Sequence, residues 1–344
     1  RVGFNYEASN PLPPSVSDPQ QLVALSPYAA TARQIAAGMG ADSGAGVTVA
    51  VVDSGLATDS FLGNAKYRTI DLTGGGFDAI GSEHGTSVAS IILGSDGVAA
   101  DSDLLAIRVL DSDGLGNSFD VAAGIVQAVD AGASIINLSL GVYADASILR
   151  DAVAYAHSRG VLMVAAAGNE RLQGLPYPAA YPEVLSVTAL DARAQQAGFP
   201  NQSLEIDFAA PGVGIYATSA EGEVTYFSGT SAAAPFVSGT LAGLLSSERG
   251  MTPQQAVEIL KASLNDAGAP GVDPIYGGGW VDWARLGQRS DPGIQDVAVS
   301  GLYLDPSLKP GTSGLVTVTV QNQGTARVAG ASLSVQVGGA AAQQ

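Results

Sequence analysis

One serine is set so that it can do chemistry. It lies in the run Phe227-Ser228-Gly229-Thr230-Ser231-Ala232-Ala233-Ala234-Pro235. Small neighbours let a substrate backbone come close to the Ser231 hydroxyl. The apolar residues that follow (Phe236, Val237, Leu241, Leu244, Leu245) have helical spacing, so Ser231 is predicted at a helix N-terminus, where aligned N–H groups favour negative charge. Pro235 is expected in the first turn, where a missing N–H costs least. A serine N-cap on a buried helix would leave the same local trace. A nucleophilic hydroxyl needs a base, and the base needs an orienting carboxylate. Of the two histidines, His157 falls in the amphipathic stretch 152–159 and reads as a structural or surface residue. His84 opens His84-Gly85-Thr86-Ser87-Val88-Ala89 at a glycine-flanked helix start. Asp53 ends the β-branched run Val47-Thr48-Val49-Ala50-Val51-Val52 and is followed by Ser54-Gly55. An aspartate capping a turn is the competing reading there. A tetrahedral intermediate also needs a donor aimed at its oxyanion. Asn169, after Gly168, is the candidate, beside the backbone N–H of Ser231. Asp, His and Ser come in one of the chain orders in which such triads occur.

These residues must be carried by elements. Residues 47–52, 104–110, 134–140, 161–167 and 184–190 are apolar runs of strand length, and 118–131, 147–158 and 252–264 have helical patterns. Strands buried on both faces that alternate with helices predict an α/β fold: an open, mostly parallel sheet with helices on both faces. In such sheets, sites form at the carboxyl ends of the strands, which is where Asp53 falls. Residues 1–30 hold Pro11, Pro13, Pro14, Pro19 and Pro27 and are expected to be an arm lying on the body, followed by a short helix near 31–38. After Asp291-Pro292-Gly293 the pattern alternates polar and apolar, as in Gly314-Leu315-Val316-Thr317-Val318-Thr319-Val320, with turns expected at 306–311 and 321–324. That is antiparallel β-structure, thin at roughly fifty residues for an independent sandwich. The expected organisation is therefore an arm (1–30), an α/β catalytic domain (31–290) and a partial β-sandwich-like accessory segment (291–344).

Composition narrows the partners. The net charge of −17, from 15 basic and 32 acidic residues, disfavours nucleic acid and anionic membrane. The absence of cysteine excludes disulfides, thiolate zinc sites and a cysteine nucleophile. No apolar run reaches the ~20 residues of a membrane span. Asp111-Ser112-Asp113-Gly114 hints at a calcium loop, but Leu115 and Ala122 fall where ligand oxygens would be needed.

Four motifs in order, Val51-Val52-Asp53-Ser54-Gly55, His84-Gly85-Thr86, Ala165-Ala166-Ala167-Gly168-Asn169-Glu170 and Gly229-Thr230-Ser231-Ala232-Ala233-Ala234-Pro235, resemble those of the subtilisin-like serine proteases (the subtilase family) over about residues 31–290. The resemblance implies a subtilisin-like fold and a serine endopeptidase. Asp53 would orient, His84 would act as base and then acid, Ser231 as nucleophile and Asn169 as oxyanion donor. It also implies that Gly114-Leu115-Gly116 and Ser139-Leu140-Gly141 flank the substrate and pair with it as strands, and that Ala166-Ala167-Gly168 form a backbone-lined wall of the S1 pocket. No cofactor is implied for the chemistry, and no metal ligand set is assigned. Gly94-Ser95-Asp96-Gly97-Val98 is shorter than the loop of the family's strong calcium site; a weaker cation site near the Ala179, Tyr181 and Val184 carbonyls is left open. Ser87 stands where many relatives carry a second histidine, and Glu83 where glycine is usual. The tail resembles the start of an adhesion-type or fibronectin-like β-domain. The expectation is a secreted, processed monomer acting on proteins or peptides, its tail a candidate for binding a surface or polymer. A non-catalytic binding homologue and an adhesion module are the competing functions.

Overall fold

The computed structural model describes residues 4–10, 43–57, 61–62, 65–75, 81–93, 97–304, 309 and 312–333. The helix expected near 31–38 lies outside them, as do residues 11–30 of the expected arm, all but residue 309 of the turn expected at 306–311, and residues 94–96 of the loop read as too short for a strong calcium site.

The apolar runs become strands because each buries both faces. β1 (Glu7–Ser9), β2 (Thr48–Asp53) and β3 (Tyr67–Asp71) are followed by α1 (Glu83–Ile92), β4 (Asp103–Arg108), β5 (Leu115–Asn117) and α2 (Ser118–Asp130). Then come β6 (Ile135–Leu138), α3 (Ser147–Ser158), β7 (Leu162–Ala166), β8 (Leu185–Leu190), β9 (Phe208–Pro211), β10 (Ile215–Thr218), β11 (Val224–Phe227) and α4 (Thr230–Ser247). The chain continues through α5 (Pro253–Ala262), β12 (Leu264–Asn265), β13 (Trp280–Val281) and α6 (Trp283–Gly287) to β14 (Val297–Leu304) and β15 (Val316–Asn322).

A nine-stranded sheet has the order β12-β13-β9-β8-β7-β6-β2-β4-β3, parallel throughout except for the β12–β13 pair. Successive strand residues face opposite layers. Val49 and Val51 pack with Val88, Ile92, Phe236 and Leu241 from α1 and α4. Ala50 and Val52 pack with Val121, Ile125, Leu149 and Val153 from α2 and α3. Helices therefore cover both faces, and these elements form the expected α/β fold, an open and mostly parallel sheet between two helical layers. The chain leaves β2 for β4 and β3 on one side and returns to pair β6 on the other. Asp53 ends β2 at that switch point, where a crevice forms outside the strand ends.

Two expectations need correction. Pro235 is the sixth residue of α4, not a first-turn residue. Having no N–H, it cannot bond the Ser231 carbonyl four residues back, and that carbonyl accepts from Ser139 Oγ at 3.1 Å instead. The turn read at 321–324 begins later, because β15 pairs with β14 through Asn322. The hairpin's strands pair with nothing else among the described residues. It leans on the α/β body by polar contacts: Arg285 Nη2 donates to the Asn322 carbonyl at 3.3 Å, and Gln323 Nε2 to Asn265 Oδ1 at 2.6 Å.

Candidate active site

Asp53 is fully buried. Its Oδ1 accepts the Ser54 N–H at 2.7 Å, and its two oxygens lie 2.8 and 3.0 Å from His84 Nδ1. A carboxylate only accepts, so Nδ1 carries the hydrogen and Nε2 presents its lone pair. The next residue explains how α1 comes so close. A Cβ on Gly85 would sit 2.2 Å from the Gly55 carbonyl oxygen, so only glycine fits. Thr86 then ties the turn: its Oγ1 donates to the Ser82 carbonyl and accepts from Ala57 N–H. Phe227, at the end of β11, sets its ring edge-on to the imidazole, with centroids 5.2 Å apart. Ser87 is buried and donates to the Thr218 carbonyl. Glu83 is exposed in the first turn of α1.

Ser231 is the second residue of α4 and almost fully buried. Its Oγ donates to the Ser139 carbonyl at 3.4 Å and makes no hydrogen bond to the His84 ring. The Asp53–His84 pair is thus assembled, while the serine hydroxyl is turned to the neighbouring strand.

Asn169 follows β7. Its Oδ1 accepts both the Thr230 N–H at 3.0 Å and the Thr230 hydroxyl at 2.9 Å. Two donors on one oxygen fix which way the amide is turned. Thr230 Oγ1 also accepts the Gly168 N–H. Gly168 is left-handed (φ 93°), and a Cβ there would meet Asn201 Nδ2 at 2.3 Å. Ala166 and Ala167 are fully buried, backbone included. Around them, the Tyr143 hydroxyl donates to Glu170 Oε2, Asn201 Nδ2 reaches Tyr143 Oη at 2.9 Å, and Glu170 Oε2 accepts the Asn169 N–H. Burial, then the Glu170 carboxylate, holds the Tyr143 phenol well above the ordinary tyrosine range.

Several members of the site were not singled out in the sequence. Asn137, fully buried in β6, donates to Ser139 Oγ at 3.0 Å and accepts from Ser238 Oγ at 2.8 Å. With the Ser139–Ser231 bonds this makes a buried polar chain from α4 through β6 back to the nucleophile candidate. An asparagine inside Ile135-Ile136-Asn137-Leu138 was the available signal, because an interior polar side chain must be paired. Thr230 and Phe227 gave none, since their partners are remote in sequence. For a cation, the described residues hold no group of three or more His, Asp or Glu side chains placed as ligands. The Tyr181 carbonyl already accepts the Val184 N–H at 3.0 Å.

The two strand edges named in the sequence both pair with one short segment, which lies between them. β5 (Gly116 and its neighbours) and Gly141 both face residues 7–10 of the chain's own arm: Ala8 is opposite Gly116, and Ser9 exchanges both backbone bonds with Gly141, at 3.1 and 2.9 Å. Leu140 is buried and Leu115 exposed.

The sequence pattern of the subtilase family matches residues 44–279. The chain belongs to the subtilase family. This subtilase is 37% identical over 259 residues to the thermostable alkaline protease of Halalkalibacterium halodurans, covering 71% of the chain and 68% of that protein. It is 34% identical to subtilisin DY of Bacillus licheniformis, over 65% of the chain and 86% of that protein. Against the minor extracellular protease Epr of Bacillus subtilis it is 35% identical, but covers 38% of that protein's length. Among solved structures, the prenylagaramide maturation protease PagA superposes with a TM-score of 0.64 at 29% identity, covering 75% of this chain and 97% of that one. Fervidolysin of Fervidobacterium pennivorans does so with 0.64 at 30%, covering 75% and 44%. The subtilase is accordingly a hydrolase of the serine endopeptidase class. Among its described residues no helix is long and apolar enough to cross a membrane.

Proposed function

We propose that Asp53, His84 and Ser231 form the triad and that Asn169 donates to the oxyanion, so that peptide bonds are cleaved through an acyl-enzyme. The observation that carries this reading is the buried Asp53 carboxylate, both of whose oxygens face His84 Nδ1. Such a partner fixes the ring orientation and stabilises the imidazolium that forms as Nε2 takes a proton. The Ser231 hydroxyl turns from the Ser139 carbonyl to Nε2, gives up its proton and attacks the scissile carbonyl. The oxygen that becomes negative lies at the N-terminus of α4, where the Ser231 N–H and the Asn169 amide donate to it. His84 then returns the proton to the leaving amine, and water repeats the cycle on the ester. Gly114, Leu115, Gly116, Ser139, Leu140 and Gly141 serve as strand edges for an extended substrate, and the Ala166-Ala167-Gly168 backbone as one wall beside its reacting residue. No metal takes part in a step. The reading extends to a catalytic domain over 31–290, an accessory segment over 291–344 and a secreted enzyme.

Ser231→Ala should fold normally, fail to label with a fluorophosphonate and lose peptide hydrolysis by orders of magnitude. Retention of more than about a hundredth of kcat/KM would remove Ser231 from the role of nucleophile.

A further inference from the structure

We infer that Asn137 is a positioning residue for the nucleophile: through Ser139 it holds the main chain of Ser231 in place. This rests on the assignment of Ser231 proposed above. The need arises from a proline. In a regular helix the Ser231 carbonyl would take the N–H of the residue four places on, but that residue is Pro235, which has none. A buried carbonyl must find another donor, and the Ser139 hydroxyl supplies it at 3.1 Å. A hydroxyl has one hydrogen. With that hydrogen given to Ser231, Ser139 Oγ is left as an acceptor, and Asn137 Nδ2 donates to it at 3.0 Å. The amide is thereby fixed, so Asn137 Oδ1 points the other way and accepts from Ser238 Oγ at 2.8 Å. The directions of three hydrogen bonds follow from one missing N–H.

The chain is closed off from water. Asn137, Ser139 and Ser238 are fully buried, and Ser231 nearly so, so solvent offers no substitute donor. A serine in a helix commonly bonds back to a carbonyl of its own helix. Thr240 does so, to the Phe236 carbonyl. Ser238 instead reaches Asn137 on another element. The start of α4 has no side-chain cap, so remote bonds hold its first turn: Asn169 holds Thr230, and Ser139 holds Ser231. The Ser231 carbonyl belongs to the peptide plane that follows the nucleophile. A tilt of that plane moves both the hydroxyl that must reach His84 and the N–H that must face the oxyanion. Misplacement by about 1 Å can cost roughly 10² in rate. Asn137 has no exposed surface and touches no reacting atom; it acts by keeping the Ser139 hydroxyl turned to Ser231.

The test uses the full chain and three changes. Asn137→Leu keeps the volume and removes both hydrogen bonds. Ser139→Ala removes the donor to Ser231. The double variant carries both. Kinetics on a chromogenic peptide, well below the melting temperature, should show kcat about tenfold lower in Asn137→Leu with KM within about twofold. The rate of fluorophosphonate labelling should fall by the same factor, since it too reads the Ser231 hydroxyl. Ser139→Ala should fall at least as far. The double variant should lose no more than Ser139→Ala alone, because Asn137 acts only through that hydroxyl. Ser238→Ala removes only the donor that orients the amide, and it stands in where Asn137→Leu does not fold. It should lower kcat about threefold, and have no effect once Ser139 is alanine. Losses that multiply in the double variant, a loss confined to KM, or a lower melting temperature with kcat unchanged would overturn the inference; the last would make the chain a structural brace. Failure of the nucleophile assignment would show separately, as fluorophosphonate labelling of the Ser231→Ala chain, and would overturn both readings together.

Discussion

Asn169 shows how much a single side chain depends on its neighbour. Its amide is held at Oδ1 by the Thr230 N–H and hydroxyl, and Thr230 is the residue directly before Ser231. The candidate donor is thus held by the residue directly before the candidate nucleophile, both of these at one helix start. Asn169→Ala should lower kcat by about 10²–10³ with KM little changed, a scale carried over from subtilisin itself. Thr230→Val keeps the N–H and loses two hydroxyl bonds, one given to Asn169 and one taken from the Gly168 N–H; only the first holds the amide, so its loss in kcat should be smaller, about tenfold for a bond of roughly 1–1.5 kcal/mol. Steady-state kinetics on a chromogenic peptide separates the two, and a rise in KM at constant kcat would instead make Asn169 a substrate-positioning residue. Tyr181 illustrates a different residue-scale effect. Burial pushes its phenol up from 10.0 to about 12, against the opposing pull of Arg150. The folded state holds this proton more tightly than the unfolded chain, so its contribution to stability is complete below about pH 10 and falls as pH rises toward 12. Urea midpoints should decline across that window, and Tyr181→Phe should flatten the decline.

At the scale of elements, the approach of α1 to the loop after β2 decides whether His84 meets Asp53. Gly85→Ala would place a Cβ 2.2 Å from the Gly55 carbonyl oxygen, and backbone must move to relieve it. The expected cost is about 1–3 kcal/mol of stability and, if the ring shifts by about 1 Å, roughly 10² in kcat. Melting temperature and kcat measured on the same preparation check this; unchanged values for both would mean that α1 can slide without disturbing the pair. The α4 helix is set differently. It is buried from Thr230 to Leu244, and the one carbonyl freed by Pro235 is met by Ser139, the residue that follows β6. Strand and helix are therefore keyed together at the nucleophile candidate by hydrogen bonds as well as by packing.

For the whole molecule, the question is what the C-terminal hairpin contributes. Its apolar residues are turned outward: Leu302 is 69% and Leu315 80% exposed. Its links to the body are a few polar contacts, so it adds little to the core. A chain ending at Arg289 should fold, with a melting temperature within about 10 °C of the full chain, as expected when four partly exposed hydrogen bonds, each worth about 0.5–1 kcal/mol, are lost from a domain of this size. It should cleave a small peptide within a few-fold of the full rate, and bind insoluble protein less well if the hairpin carries that role. An unfolded or inactive truncated chain would show that the hairpin belongs to the catalytic core.

The five central strands β2, β4, β6, β7 and β8, the longer helices and the four motifs of the α/β body were legible in the sequence, because each is encoded locally; β3, β9, β12 and β13, which extend the sheet at its two sides, and the β10–β11 hairpin were not, being short or lacking a continuous apolar run. Strands buried on both faces read as continuous apolar runs, and glycine-flanked polar residues mark where they end. Asp53, His84, Asn169 and Ser231 all stood out on that basis. What remained hidden depends on residues that meet only when the chain is folded. Asn137 bridges β6 and α4, Thr230 locks Asn169, and Phe227 flanks His84, and no periodicity records such pairs. The position of Pro235 in its helix was misread because the start of α4 is set by tertiary burial and not by a capping side chain; Gly229 begins it with no side-chain cap. The arm is the clearest case. Its prolines and polar residues announced irregular structure, but pairing between Ser9 and Gly141 depends on two backbones brought together across more than a hundred residues of sequence. Backbone hydrogen bonds are almost blind to residue type, so only the tertiary structure could decide that Glu7–Ser9 pair with Leu115–Asn117 and Ser9 with Gly141.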